Sequence, residues 1–333
     1  MCCFFTRLFV SERKQIAFMA DANLEFASPL RDKTLRKEDY NMKIGFIGLG
    51  KMGLPMAKNL CKAGFMVYVK SSNAESQNEM IKEGAIAATS YNAMAKECDV
   101  VITIIPADKE IKELYLTENG LIANAKEGVT FIDMTSAKGS TKELVNEAIE
   151  AINKDLSFVD APVSGGVAGA VNGTLTIMTG CKETAFEEIK PVLEAMGKNI
   201  IYTGEAGTAS NVKMLNQMLN AGNTAVAAEV LCMSRKLGVS DDVLKTVVSQ
   251  SSGQSFVFDR NVTKFMMSGD HTPGFRLNLM KKDVSLFVDA ANELSGFTPV
   301  TKLVYDMFVA CANNGMGDLN YTSIHKWLEE NQK

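Results

Sequence analysis

Histidine is almost missing from this chain: His271 and His325 are the two among 333 residues. Paired cysteines are missing as well. The seven cysteines (Cys2, Cys3, Cys61, Cys98, Cys181, Cys232 and Cys311) are scattered, odd in number and nowhere spaced as C-x-x-C. Zinc centres draw on these residue types in close spacing, so no metal site is expected. Scattered thiols suit a reducing compartment, and a cytoplasmic location is the expectation. No apolar run reaches the length that spans a bilayer, so no membrane partner is expected. A net charge of −4 likewise gives no electrostatic reason to expect nucleic acid.

What is present suits a globular protein: 46% hydrophobic and 22% charged residues, over a length with room for two cores. Residues 1–41 read differently. Their opening, MCCFFTRLFV, has short apolar runs broken by Arg7 and makes a poor secretory signal, while 31–39 is densely charged. A disordered extension is expected there, with Met42 as an alternative natural start. Asp21, Glu25 and Asp32 argue against a transit peptide, which is poor in acids.

Residues 43–60, KIGFIGLGKMGLPMAKNL, are the most informative stretch. An apolar run that reads as a buried strand leads into Gly48-Leu49-Gly50-Lys51-Met52-Gly53 and then into helical periodicity. In a dinucleotide loop the first glycine permits the turn, the second admits a pyrophosphate, and the third lets helix and strand pack closely. The helix start adds free N–H groups and partial positive charge. A functionless glycine turn is the alternative, and the strand–loop–helix order argues against it.

Strand-like and helix-like segments then alternate. Strands are expected at 67–69, 100–105, 130–132, 157–159 and 174–178, with helices at 74–83, 111–115 and 141–152. Such alternation predicts an α/β fold with a doubly wound parallel sheet. It stops near Gly207, and 211–236 reads as one long helix followed by further helical periodicity. A nucleotide-binding domain over 42–204 and a helical domain over 205–333 are expected, with chemistry in the crevice between them.

On the long helix Lys213, Asn216, Gln217, Asn220 and Thr224 share an arc of about 100° at 3.6 residues per turn. Met214, Leu215, Met218, Leu219 and Val226 lie on its other faces and are expected to be buried. Three amides, a hydroxyl and one lysine are an odd set for a solvated face, which usually carries Glu and Lys. Either this is a plain interdomain face, or it is a cleft wall holding a partly desolvated amine. Desolvation lowers a lysine pKa and fits it for proton transfer. Further upstream, residues 160–169 (DAPVSGGVAG) follow a strand, and Ser164-Gly165-Gly166 offers a hydroxyl and backbone N–H groups to an anion. A flexible loop is the competing reading. No G-x-S-x-G elbow is present, so Ser164 reads as a carboxylate binder, not a nucleophile.

Four separated motifs now come together: GFIGLGKMGLPMAKNL, DAPVSGGVAGAVNGTL, GTASNVKMLNQ and PGFRLNLMKKD. With them the chain from Lys43 to about Trp327 resembles the β-hydroxyacid dehydrogenases, which include 3-hydroxyisobutyrate dehydrogenase and tartronate semialdehyde (2-hydroxy-3-oxopropionate) reductase. The resemblance implies a Rossmann-type domain followed by an all-helical C-terminal domain. It also implies hydride transfer between NAD or NADP and a small carboxylate-bearing substrate with a β-hydroxyl or β-carbonyl group. Lys213 matches the family's catalytic lysine, and Ser164, Gly165 and Gly166 match its substrate-carboxylate loop. Asn216 and Gln217 fall at substrate-orienting positions, Lys282 at a lysine that closes over the cofactor, and Ser136 at a nicotinamide-side contact. The Asn216-Gln217 pair and the PGFR spelling at 273–276 lean towards tartronate semialdehyde reductases, with L-threonate and 3-hydroxyisobutyrate dehydrogenases as alternatives. The helical domain suggests a homodimer or homotetramer.

One departure bears on the cofactor. NAD-using members commonly end the second strand with an acid; here Lys70-Ser71-Ser72-Asn73 places Ser71 there. With no carboxylate to repel a 2′-phosphate, and Ser71, Ser72 and Lys70 in reach of one, the sequence leans to NADP over NAD. Two other classes stand as alternatives: a non-catalytic dinucleotide-binding homologue, which the presence of Lys213 disfavours, and a methyltransferase, which the Gly53 spacing disfavours.

Overall fold

The computed structural model describes residues 42–152 and 154–332, so the expected extension over 1–41 lies outside the described residues. Strand β1 (Lys43–Ile47) is the centre of the sheet. It pairs in parallel with β2 (Met66–Lys70) on one side and β4 (Val100–Thr103) on the other. Beyond β2 lies β3 (Ile86–Ala87), and beyond β4 lie β5 (Thr130–Asp133) and β6 (Ser157–Asp160), all parallel. The order β3-β2-β1-β4-β5-β6 reverses direction at β1, and that reversal opens a crevice above the strand ends. Alternate strand residues point to opposite faces. Ile44, Phe46, Val69, Ile102 and Val159 enter one core, while Val101, Phe131 and Phe158 enter the other.

The sheet is not parallel throughout. After β6 come β7 (Val163–Ser164), the seven-residue helix Gly166–Asn172 and β8 (Leu175–Gly180), which runs antiparallel to both β6 and β7. A parallel return needs a crossover of about a dozen residues or more, and residues 165–174 between β7 and β8 are too few for one. The last strand, β9 (Gly197–Gly204), pairs in parallel with β8 across the helix Glu183–Glu194.

Strands then cease. The 29-residue helix Thr208–Lys236 begins three residues before the expected start, where Gly207 (φ +92°) turns the chain. Around it pack Leu277–Glu293, Pro299–Cys311, Ile324–Asn331 and the wider turns of Phe258–Met266. They share a core that includes Ala221, Ala225, Ala228, Phe258, Met280 and Phe308. The Rossmann-type sheet followed by a helical domain is thus the architecture observed. No helix among the described residues is long and apolar enough to cross a membrane.

One expectation is corrected. Leu215, Leu219 and Val226 are 50%, 67% and 58% exposed, and Met214 and Met218 are half-buried. The covered side of the long helix instead carries Ser210, Lys213, Gln217 and Thr224 among alanines. Small residues let neighbouring helices approach closely there, so the larger apolar side chains are left pointing outward.

Candidate active site

The glycine loop is built by contact. At Gly48 (φ +104°) a Cβ would strike the carbonyl oxygen of Ile104, and at Gly53 one would strike the carbonyl oxygen of Gly48. Strand and helix are therefore pressed together on either side of the turn. Gly50 differs: nothing lies within 4 Å of where its Cβ would be, so its backbone faces open space. Leu49 is buried, Met52 half-buried, and Gly50 and Lys51 exposed. Helix Gly53–Lys62 has neither a side-chain cap at Met52 nor an acid in its first turn. The Leu54 N–H is already given to the Gly50 carbonyl at 3.0 Å and Pro55 has none, so the N–H groups left for an anion are those of the turn itself, at Lys51, Met52 and Gly53.

One cavity opens at this loop and a second at the end of β2. One, of about 320 Å³, is lined by Leu49, Gly50, Lys51, Leu54, Pro55, Asn73 and Ser76. The other, of about 400 Å³, is lined by Lys70, Ser71, Ser72, Thr89, Ser90 and Tyr91. Asn73 caps the next helix by accepting from the Ser76 N–H at 3.1 Å, and the Asn73 N–H donates to Ser71 Oγ at 3.1 Å. An open glycine cradle leading to hydroxyls and a lysine at the end of β2 fits a dinucleotide. Thr89, Ser90 and Tyr91 had no motif to announce them.

Lys213 lies near the start of the long helix and is 7% exposed. Its Nζ donates to Gln217 Oε1 at 3.1 Å, an acceptor that Asn216 Nδ2 also reaches at 3.3 Å. Gln217 Nε2 in turn donates to Asp283 Oδ2 at 2.7 Å. Lys282 Nζ lies 3.1 Å from Asp283 Oδ1 and donates to the Ser136 carbonyl oxygen at 2.6 Å. A continuous polar chain therefore joins Lys213, Gln217, Asp283, Lys282 and Ser136 across the two domains. Burial pushes the Lys213 pKa below its ordinary value, the Asp283 carboxylate opposes that shift, and Lys282 adds to it. Asp283 is the member of this chain to which the sequence assigned no role.

Ser164 is half-buried at the end of β7, and Gly165 (φ +130°) and Gly166 (φ +63°) follow it in conformations that favour glycine. A Cβ on Gly166 would meet nothing within 4 Å. The loop thus presents a hydroxyl and backbone N–H groups, and it shares no direct hydrogen bond with Lys213 among the described residues. Burial raises the thiol pKa of Cys98, Cys181 and Cys311 to about 12.

Residues 43–204 match the NAD-binding domain of 6-phosphogluconate dehydrogenase, and 207–328 match the NAD-binding model of NADP-dependent 3-hydroxyisobutyrate dehydrogenase. The chain belongs to the β-hydroxyacid dehydrogenase family. It is an NAD(P)-binding oxidoreductase acting on CH–OH donors. Among curated relatives, 2-(hydroxymethyl)glutarate dehydrogenase of Eubacterium barkeri is 35% identical over 88% of this chain and 96% of its own length. The 2-hydroxy-3-oxopropionate reductase of Escherichia coli is 31% identical, over 86% of this chain and 97% of its own. The structure of Mycobacterium tuberculosis 3-hydroxyisobutyrate dehydrogenase with L-serine matches with a TM-score of 0.80 and 30% identity, over 86% and 99% of the two chains.

Proposed function

We propose that this dehydrogenase reduces tartronate semialdehyde, with Lys213 as the proton donor and NADPH as the preferred reductant. The observation that carries the reading is the Lys213–Gln217–Asp283 chain: a desolvated amine beside neutral amides and a fixed carboxylate. Such a wall suits an acid with a second oxygen next to its carboxylate better than one with a methyl group there.

A reduced nicotinamide, when held by the glycine loop, would supply the hydride. Lys213 gives its proton to the aldehyde oxygen as the hydride arrives at carbon, so R–CHO becomes R–CH₂OH and the amine is left neutral. Ser164, Gly165 and Gly166 hold the substrate carboxylate, and Asn216 and Gln217 orient its oxygens. Gly48, Leu49, Gly50, Lys51, Met52 and Gly53 seat the pyrophosphate. Lys282 and Ser136, joined by a hydrogen bond, would hold the nicotinamide end. Lys70, Ser71 and Ser72, in a cavity whose lining includes no carboxylate, favour the 2′-phosphate of NADP. The exposed apolar side of the long helix supports a homodimer or homotetramer. The five free described cysteines support a reducing, cytoplasmic setting.

A second reading, a substrate with a distal second carboxylate, is favoured by the 35% identity to 2-(hydroxymethyl)glutarate dehydrogenase. The deciding experiment compares tartronate semialdehyde, succinic semialdehyde, 3-hydroxyisobutyrate, L-threonate and 2-(hydroxymethyl)glutarate, each with both cofactors in the matching redox state. The highest kcat/KM is expected for tartronate semialdehyde with NADPH. Preference for 3-hydroxyisobutyrate over every other compound overturns the substrate assignment.

A further inference from the structure

Behind the crevice lie three charged side chains with no solvent exposure: Lys142, Asp133 and Asp160. Lys142 Nζ stands 2.6 Å from Asp133 Oδ2 and 3.5 Å from Asp160 Oδ1. Asp133 ends β5, where its Oδ1 accepts from the Thr135 N–H, from Thr135 Oγ1 and, at 2.9 Å, from Thr103 Oγ1 at the end of β4. Asp160 ends β6 and accepts twice from Ser210, from its N–H at 2.8 Å and its Oγ at 2.7 Å. Ser210 lies in the first turn of the long helix, whose N-cap, Gly207, has no side chain to satisfy the free N–H groups. Asp160 therefore caps that helix from a different element, with its charge at the favourable end of the dipole.

A fully buried ion cluster is a poor source of stability, because desolvating the charges offsets most of their attraction. Its value here is geometric. Asp133 stands three residues before Ser136, Asp160 four before Ser164, and Ser210 three before Lys213. One cluster thus fixes the roots of three separate parts of the site, none of which is hydrogen-bonded to Lys142 itself.

We propose that Asp160, held by Lys142, is a positioning residue: through Ser210 it sets where Lys213 stands relative to Ser164, Gly165 and Gly166. This rests on the reading of Lys213 as the proton-transfer group. Misplacement of a reacting group by about 1 Å can cost on the order of 100-fold in rate without touching remote binding. Neither Asp160 nor Ser210 lines the cavities beside Gly50 and Ser71, so substitutions at these two residues should spare cofactor affinity.

The test uses the full chain with tartronate semialdehyde and NADPH, or whichever acid of the panel above the wild type turns over fastest. For Ser210→Ala, Ser210→Thr, Asp160→Asn and Lys213→Ala it measures kcat, the Kd of NADPH by fluorescence, and Tm. Ser210→Ala and Asp160→Asn are expected to lower kcat by about 10- to 100-fold, with the Kd of NADPH unchanged and Ser210→Thr restoring most of the rate. Wild-type kcat in folded Ser210→Ala and Asp160→Asn overturns the proposal. So does a loss that Ser210→Thr fails to restore, or one that follows Tm and Kd together. If Asp160→Asn does not fold, the Ser210 pair decides alone. Wild-type turnover in Lys213→Ala sinks the reading of the site itself, a separate outcome from failure of the positioning role.

Discussion

Lys213 holds its ammonium group against a neutral amide oxygen, with the nearest carboxylate one residue further along the hydrogen-bond chain. That arrangement explains the direction of its pKa: burial disfavours the charge more than Asp283 can restore it. The sign has two consequences. An unfolded chain binds this proton more tightly than the folded one, so Lys213 makes stability rise with pH between its lowered pKa and the ordinary 10.5. On the proposed role of Lys213, reduction needs the protonated amine and oxidation the neutral one. The rate of aldehyde reduction should therefore fall, and the rate of alcohol oxidation rise, as pH climbs through the lowered pKa. Steady-state rates in both directions across pH check this.

At the scale of elements, the loop between β1 and its helix separates folding from binding. Gly53 is pressed onto the Gly48 carbonyl, whereas Gly50 borders open space. Gly53→Ala should lower Tm and cofactor affinity together, while Gly50→Ala should leave Tm unchanged and weaken cofactor binding about 10-fold or more, since a methyl group displaces a phosphate at a backbone contact. Thermal melts and fluorescence titration distinguish the two. This loop was legible in the sequence because its signal is local: strand, turn and helix are adjacent in the chain. Of the polar stripe on the long helix, Lys213, Gln217 and Thr224 are buried, whereas Asn216 is exposed and Asn220 half-buried. Which side of that helix is covered was not legible, because periodicity says which residues share a face and not what packs on it. Asp283 and Asp160 were also hidden. Their partners lie 66 and 50 positions away, and only the folded chain brings them together.

At the scale of the whole molecule, apolar surface remains uncovered. Leu219 on the long helix and Leu294, Phe297, Val300 and Leu303 in the helical domain are all exposed. Large exposed apolar patches on a folded chain mark contact surfaces, and a second copy of this chain is the occupant proposed above. Leu219→Glu should shift the protein towards monomer, because a carboxylate placed in an apolar interface goes unpaired. Light scattering after size exclusion measures this, and an unchanged mass would place the contact elsewhere.

In the function proposed above, Lys213 donates the proton for reduction while the glycine loop independently holds the cofactor. This is tested most directly by measuring the pH profile of turnover for Lys213→Ala beside the wild type, together with the Kd of NADPH. Turnover should be lower by about 100- to 10,000-fold, with the wild-type pH dependence lost and cofactor affinity unchanged. Retained turnover with the wild-type pH profile would contradict this role of Lys213.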